Sequence, residues 1–189
     1  MPNWTENRVE LKFSDESQFN EFLKRYLRRD GEEYIVDYSL IVPSPNYKDK
    51  TVSPIDTSAM EAYLREKAGL ATDEDKEHLD EIYKQYGREG EESTVREICR
   101  YSDMLQNETG YPDWYTWNVA NWGVKWNAVD SIVSYDKNAL IVYLTFLSPW
   151  SAPVPVMKKI KEIFGDAVRI MHTAIYEDEP EKEVVLLNL

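Results

Sequence analysis

Polar and apolar residues alternate from Arg8 to Phe13, with Val9, Leu11 and Phe13 on one side, and this period of two predicts a strand. Ser14-Asp15-Glu16 then offers a helix start, with Ser14 or Asp15 as the cap. Phe19, Phe22, Leu23, Tyr26 and Leu27 follow at i, i+3, i+4, i+7 and i+8, the single apolar stripe of a helix that stops near Gly31. Tyr34–Val42 reads as a second strand, with Tyr38, Leu40 and Val42 in register, ended by Pro43 and Pro45.

The second half follows the same logic. Ala128–Tyr135 and Ala139–Leu147 are apolar runs joined by Asp136-Lys137-Asn138, a hairpin whose second strand is almost wholly apolar and therefore central. Pro153 and Pro155 open a helix with Met157, Ile160, Ile163 and Phe164 on one stripe, closed by Gly165. Val168, Ile170, His172, Ala174 and Tyr176 alternate as another strand, and Val184–Leu187 forms a last one after the acidic turn Glu177–Glu183. Without its central interruption the chain reads as a βαββαβ core: an α+β ferredoxin-like sandwich, with two helices on one face of an antiparallel sheet.

The interruption, about residues 54–118, separates core segments 1–53 and 119–189. Ser58–Ala68, Asp73–Tyr86 and Ser93–Leu105 read as helices, parted by Gly69, Gly87 and Gly90. Residues 56–108 hold 15 acidic and 7 basic side chains, a net of −8 out of the −13 carried by the whole chain. The insertion is therefore helical and acidic.

That charge disfavours generic nucleic-acid binding, because it repels phosphate backbones at long range. It suits solubility, or a basic partner. The longest apolar run, Ala139–Leu144, is far short of the roughly 20 residues that span a bilayer. The N-terminus has neither a basic region nor an apolar one of the secretory kind. Cys99 is the only cysteine, which excludes an internal disulfide and a Cys-rich zinc site. A cytoplasmic protein without a membrane segment is expected.

Familiar catalytic sets are missing. Of the two histidines, His78 lies in a charged helical pattern and His172 alternates with apolar residues on a strand, so neither reads as a base. Asp73, Asp75 and Glu77 lack the Gly and the final Glu of an EF-hand loop. Glu74, Glu77, His78 and Glu81 share a helical face, which reads as solvated surface and not as a metal site. The seven glycines form no phosphate-binding loop, and Cys99 reads as a packed thiol. No catalytic residue, metal or cofactor is assigned.

Aromatic density is the unusual feature. Residues 113–127, DWYTWNVANWGVKWN, place Trp114, Tyr115, Trp117, Trp122 and Trp126 within one short span. Each indole buries about 150–250 Å² when covered. Such a cluster is either a small core that fastens the insertion to the sheet, or a stacking surface for a base, a sugar or a partner side chain. Asn118, Asn121, Lys125 and Asn127 interleave with the rings, and Gly123 breaks the helix between Trp122 and Trp126.

Three segments carry a family resemblance. They are Pro2-Asn3-Trp4-Thr5-Glu6-Asn7-Arg8, Asn121-Trp122-Gly123-Val124-Lys125-Trp126-Asn127, and Phe146 to Pro153 with its Trp150-Ser151-Ala152-Pro153. Together and in this order they resemble the YubB-type ferredoxin-like family of plasmid, phage and mobile-element proteins, a family without an established activity. Its usual N-W-C-x-N-R, N-W-G-T-K-W-D and F-x-T-A-W-S-P-P patterns are altered here: Thr5 stands for the cysteine, Val124 for the threonine and Asn127 for the aspartate. The resemblance covers the first 43 residues and the region from about 111 onward, leaving the insertion outside it. It implies the fold and, together with the aromatic cluster, points to Asn3, Trp4, Asn7, Trp117, Asn121, Trp122, Gly123, Lys125, Trp126, Asn127 and Trp150 as ligand- or partner-binding candidates.

Two functions follow as expectations. One is a non-enzymatic interaction protein, a mobile-element accessory that meets a basic or nucleic-acid-binding host protein such as a defence nuclease, with carboxylates standing where phosphates would sit. The other is a small-molecule or nucleotide pocket built from the Trp, Asn and Lys cluster. No oligomeric state is set by the sequence.

Overall fold

Strand β1 (Trp4–Phe13) turns Thr5, Asn7, Val9, Leu11 and Phe13 to one side, and all five are buried. A computed structural model of the chain describes residues 3–45, 54–86 and 104–189. It divides into two compact units, Met1–Ser44 with Asn118–Leu189, and Pro45–Trp117.

In the first unit β1 is the centre of a five-stranded antiparallel sheet. The other strands are β4 (Val129–Asp136), β5 (Ile141–Pro149), β6 (Val168–Tyr176) and β7 (Glu183–Asn188), in the order β4-β5-β1-β6-β7. The period-two pattern fixes the register, since a slip of one residue would turn the apolar set to water. Val9 thus lies opposite Leu144 on one side and His172 on the other, and Leu11 lies opposite Val142 and Ile170.

Two helices cover this buried face. Helix α1 (Glu16–Arg25) is capped by Asp15, whose carboxylate accepts from the Gln18 N–H at 2.9 Å. Helix α5 (Val154–Phe164) buries Val156, Met157, Ile160 and Phe164. The Phe13 ring meets Phe19 and Phe22 of α1 at 6.1 and 5.6 Å and Phe164 of α5 at 5.3 Å, so both helices lie on the side of the sheet to which Phe13 points. Each fully buried ring contributes roughly 1.5–3 kcal/mol. The unit is therefore α+β, with an antiparallel sheet and helices on one face.

The Tyr34–Val42 strand is corrected. Helix α1 stops at Arg25, and Leu27 begins β2 (Leu27–Asp30), which pairs with β3 (Glu33–Val36) in a separate two-stranded ladder. Gly31, at φ 62°, makes the turn between them and does not end the helix. After Val36 the Asp37 carboxylate accepts from the Ser39 N–H at 3.0 Å and curls Tyr38–Leu40 into a 3₁₀ turn. Tyr38 is then fully buried while Leu40 is 38% exposed, so their spacing is not that of a strand.

The second unit holds α2 (Pro54–Lys67) and α3 (Asp73–Tyr86), with Ala62, Tyr63 and Leu79 forming a small core. A capping box starts α3: the Asp75 carboxylate accepts from the Thr72 N–H at 2.8 Å and the Thr72 hydroxyl from the Asp75 N–H at 3.1 Å. Arg65 closes on the same carboxylate at 2.6 and 3.0 Å, and this pairing, with Thr72, holds the Asp75 carboxyl far below the usual range. Of the predicted helix Ser93–Leu105, residues 93–103 lie outside the described residues, and 104–109 are helical. Helix α4 (Trp114–Trp122) starts where Asp113 accepts from the Thr116 N–H at 2.8 Å.

Candidate functional site

At one end of the buried sheet face, polar side chains replace apolar ones. Thr5, Asn7, Ser148 and His172 are all fully buried there. The Asn7 amide Nδ2 donates to the Thr5 carbonyl at 3.0 Å and to the Ser148 Oγ at 2.7 Å, and its Oδ1 faces His172 Nε2 at 3.0 Å. Ser148 in turn donates to the Ser151 carbonyl at 2.6 Å, and the Ser151 hydroxyl donates to the Gly123 carbonyl at 2.7 Å. Every proton in this relay is thereby assigned. Because the Ser148 proton is committed to Ser151, Ser148 must accept from Asn7; the amide then presents its oxygen to His172, so Nε2 carries the imidazole proton. His172 Nδ1 is left bare, buried and without a partner. Burial lowers the His172 pKa to about 4, so the ring is neutral near pH 7.

The central motif is equally occupied. Gly123 ends α4 at φ 82°, its N–H shared between the carbonyls of Asn118 and Val119. A Cβ there would stand 2.7 Å from the Pro155 Cδ, so glycine is required both by conformation and by space. The Trp122 ring is 6% exposed, meets Tyr38 edge-on at 5.8 Å and donates its indole N–H to the Val42 carbonyl at 2.9 Å. Asn127 accepts from the Tyr38 N–H at 2.9 Å and donates to the Asp37 carboxylate at 2.7 Å. Burial tends to raise the Asp37 pKa, but hydrogen bonds from Ser39 and Asn127, with Arg28 nearby, bring it below the usual carboxylate value.

The remaining candidates divide by exposure. Trp117 is buried at 7% and Asn121 half-buried. Lys125 places its ammonium 5.1 Å from the centre of the Trp126 ring, which in turn meets Trp4 at 6.3 Å. Asn3 is exposed and Trp4 half-buried, whereas Trp150 is 63% exposed.

Trp150 has an unusual backbone. It sits at φ 69°, and the Ser151 N–H donates across it to the Pro149 carbonyl at 2.9 Å, which makes it the centre of a γ-turn of the rare, strained hand. For a bulky residue this costs about 1–3 kcal/mol. Its own N–H donates to the Asn3 carbonyl at 2.8 Å and closes the end of the β1–β5 ladder.

Beside this turn lies an open cleft of about 430 Å³, lined by Asn3, Trp4, Thr5, Trp150, Tyr176, Glu177, Asp178 and Glu179. The Glu177 carboxylate accepts from the Trp4 N–H at 2.6 Å, and the Glu177 N–H donates to the Trp4 carbonyl at 3.1 Å. Glu179 is paired with Lys182 at 2.7 Å. Sequence reading missed Tyr176, Glu177, Asp178 and Glu179 as site residues; their signal was an acidic turn directly after a strand that ends in an aromatic residue.

Among the described residues no group of three or more His, Cys, Asp or Glu side chains is placed to hold a metal ion, and no helix is long and apolar enough to cross a membrane. Cys99 lies outside the described residues.

No protein-family model and no curated protein matches the chain. Among solved structures it is similar to the api92 protein from Yersinia pseudotuberculosis, described with the family DUF1281, at 14% identity and a TM-score of 0.42 over 99% of each chain.

Proposed function

We propose that this chain is a non-enzymatic protein-interaction module with a ferredoxin-like core of the YubB type, a mobile-element accessory whose partner is a basic or nucleic-acid-binding host protein. The strand order supports the fold reading. Leaving out β7, the β2–β3 ladder and the segment between β3 and β4, the sequence β1-α1-β4-β5-α5-β6 gives the antiparallel order β4-β5-β1-β6 with both helices on one side, the arrangement of a split βαβ sandwich carrying one added edge strand.

One observation carries the functional reading: polar groups from each of the three motifs are used to hold the protein together. Asn7, Ser151, Gly123 and Asn127 are hydrogen-bonded to the backbone or to one another, and Trp122 is sealed against Tyr38 and Val42. A nucleophile with a base beside it, the usual requirement for covalent chemistry, is not assembled among these groups. The chain carries negative charge, −13 overall and −8 within residues 56–108, and among the described residues Asp73, Glu74, Glu77, Asp80 and Glu81 of α3 expose it. Such a surface speeds encounter with a basic partner and weakens with salt.

Capture from host lysate at low and moderate salt tests this, comparing the native chain with a Glu74→Gln, Glu77→Gln, Glu81→Gln variant. All three carboxylates are exposed on α3. Basic proteins should be captured by the native chain and reduced several-fold by the variant; equal capture by both, or capture indifferent to salt, sinks the reading.

A further inference from the structure

We propose that the cleft at the ends of β1, β5 and β6 binds the guanidinium of an arginine side chain presented by a protein partner, between the rings of Trp4 and Trp150 and the carboxylates of Glu177 and Asp178. This rests on the basic-partner reading above and names the group that would be recognised.

Trp150 is the first support. An exposed indole gains little from packing, yet it occupies a turn that glycine would form without strain. A costly backbone that holds a large ring in water points to a use for the ring outside the fold.

The second support is chemical complementarity. Trp4, Trp150 and Tyr176 supply aromatic surface, and three successive carboxylates, Glu177, Asp178 and Glu179, supply charge, with Lys182 pairing to Glu179. Glu177 is anchored through the Trp4 N–H, which fixes a carboxylate beside an indole. The adjoining ring, Trp126, already carries the ammonium of Lys125 at 5.1 Å, so cation-on-indole contact is used within the fold itself. An anion would face three successive carboxylates here. A guanidinium is favoured over an ammonium because its plane stacks on a ring while its edge donates two parallel hydrogen bonds to a carboxylate. The cleft, about 430 Å³, falls at the small end of ligand sites and suits one long side chain with its adjoining backbone.

The test follows the indole N–H signals of the ¹⁵N-labelled full chain during titration with N-acetyl-arginine methylamide. N-acetyl-citrulline methylamide, alike in shape and uncharged, is the control. Saturable shifts of the Trp4 and Trp150 signals are expected with arginine, at least fivefold weaker with citrulline. Asp178→Asn should weaken binding several-fold, and Trp150→Gly should abolish it while melting no lower than the native chain. Equal response to citrulline, unchanged binding by Trp150→Gly, or a lowered melting temperature for that variant would overturn the proposal. If Trp150→Gly still captures basic proteins from lysate, the cleft is wrong and the interaction reading stands. If the native chain captures none yet its Trp4 and Trp150 signals shift with arginine, the cleft holds and the wider reading falls.

Discussion

His172 donates from Nε2 to the Oδ1 of Asn7, 3.0 Å away, in a region of the β1–β6 seam that water does not reach. The two residues are 165 positions apart, and the antiparallel register brings them together. Asn7 joins this contact to β5 through Ser148, and Ser151 carries it on to Gly123, so one hydrogen-bonded path links three strands with the end of α4. The first and last motif segments therefore meet as a structural clasp.

Acid should loosen that clasp. In the unfolded chain His172 titrates near 6.5, whereas in the fold burial lowers its pKa to about 4. Between these values the unfolded state binds the extra proton, so stability is full above pH 6.5 and falls as pH drops toward 4. The whole effect is on the order of 3 kcal/mol. Urea midpoints at pH 7 and pH 5 measure it, with His172→Gln as the comparison. A native chain no more pH-sensitive than His172→Gln across that interval would refute the assignment.

Removing the amide is a separate test. Asn7→Ala leaves the buried His172 N–H without an acceptor and opens a small void, at a combined cost of about 2–4 kcal/mol. Chemical denaturation of the purified variant gives the number directly. A loss below about 0.5 kcal/mol, the scale of an ordinary surface change, would mean that the amide is not the keystone described here.

Gly123 permits a cleaner dissection. Gly123→Ala meets the Pro155 ring at 2.7 Å and also adopts φ 82°, so two penalties act at once and stability should drop by about 2–4 kcal/mol. Pro155→Ala in the same chain removes the contact but not the backbone strain. Partial recovery in the double variant is expected, and full recovery would show that the left-handed conformation costs nothing.

How much of this was readable beforehand depends on how far apart the partners are. Strands β1, β5 and β6 and helices α1 and α5 declare themselves because one face of each is buried, and a period of two or 3.6 records that directly. Tyr38, Leu40 and Val42 imitate the same alternation, but Asp37 captures the Ser39 N–H and curls the backbone, a local competition that hydrophobic spacing does not report. In the cleft, Trp4 and Trp150 stand in segments that the sequence singles out by resemblance, while Glu177 reaches Trp4 from 173 positions away. No local pattern encodes that meeting, because it follows from the order of strands. The strain at Trp150 was hidden for a related reason: a turn at positive φ is ordinarily marked by glycine, and a tryptophan in that place gives no such sign.

Asn127 gives the sharpest electrostatic prediction, since its Nδ2 donates to the Asp37 carboxylate at 2.7 Å and aspartate has no such donor when ionised. In Asn127→Asp the two carboxylates would face each other beside a nearly buried group, raising the pKa of one of them above its unfolded value. A raised folded-state pKa favours the fold at low pH and penalises it as pH rises, so the deficit relative to the native chain should be largest at neutral pH, about 2–3 kcal/mol. Below the usual carboxylate range one proton is shared between the groups and the deficit shrinks. Because the His172 effect is common to both chains, the difference between their denaturation midpoints isolates this pair. No deficit at any pH from 7 to 4 would show that Asn127 acts through its bond to the Tyr38 N–H alone, a contact that either side chain could keep.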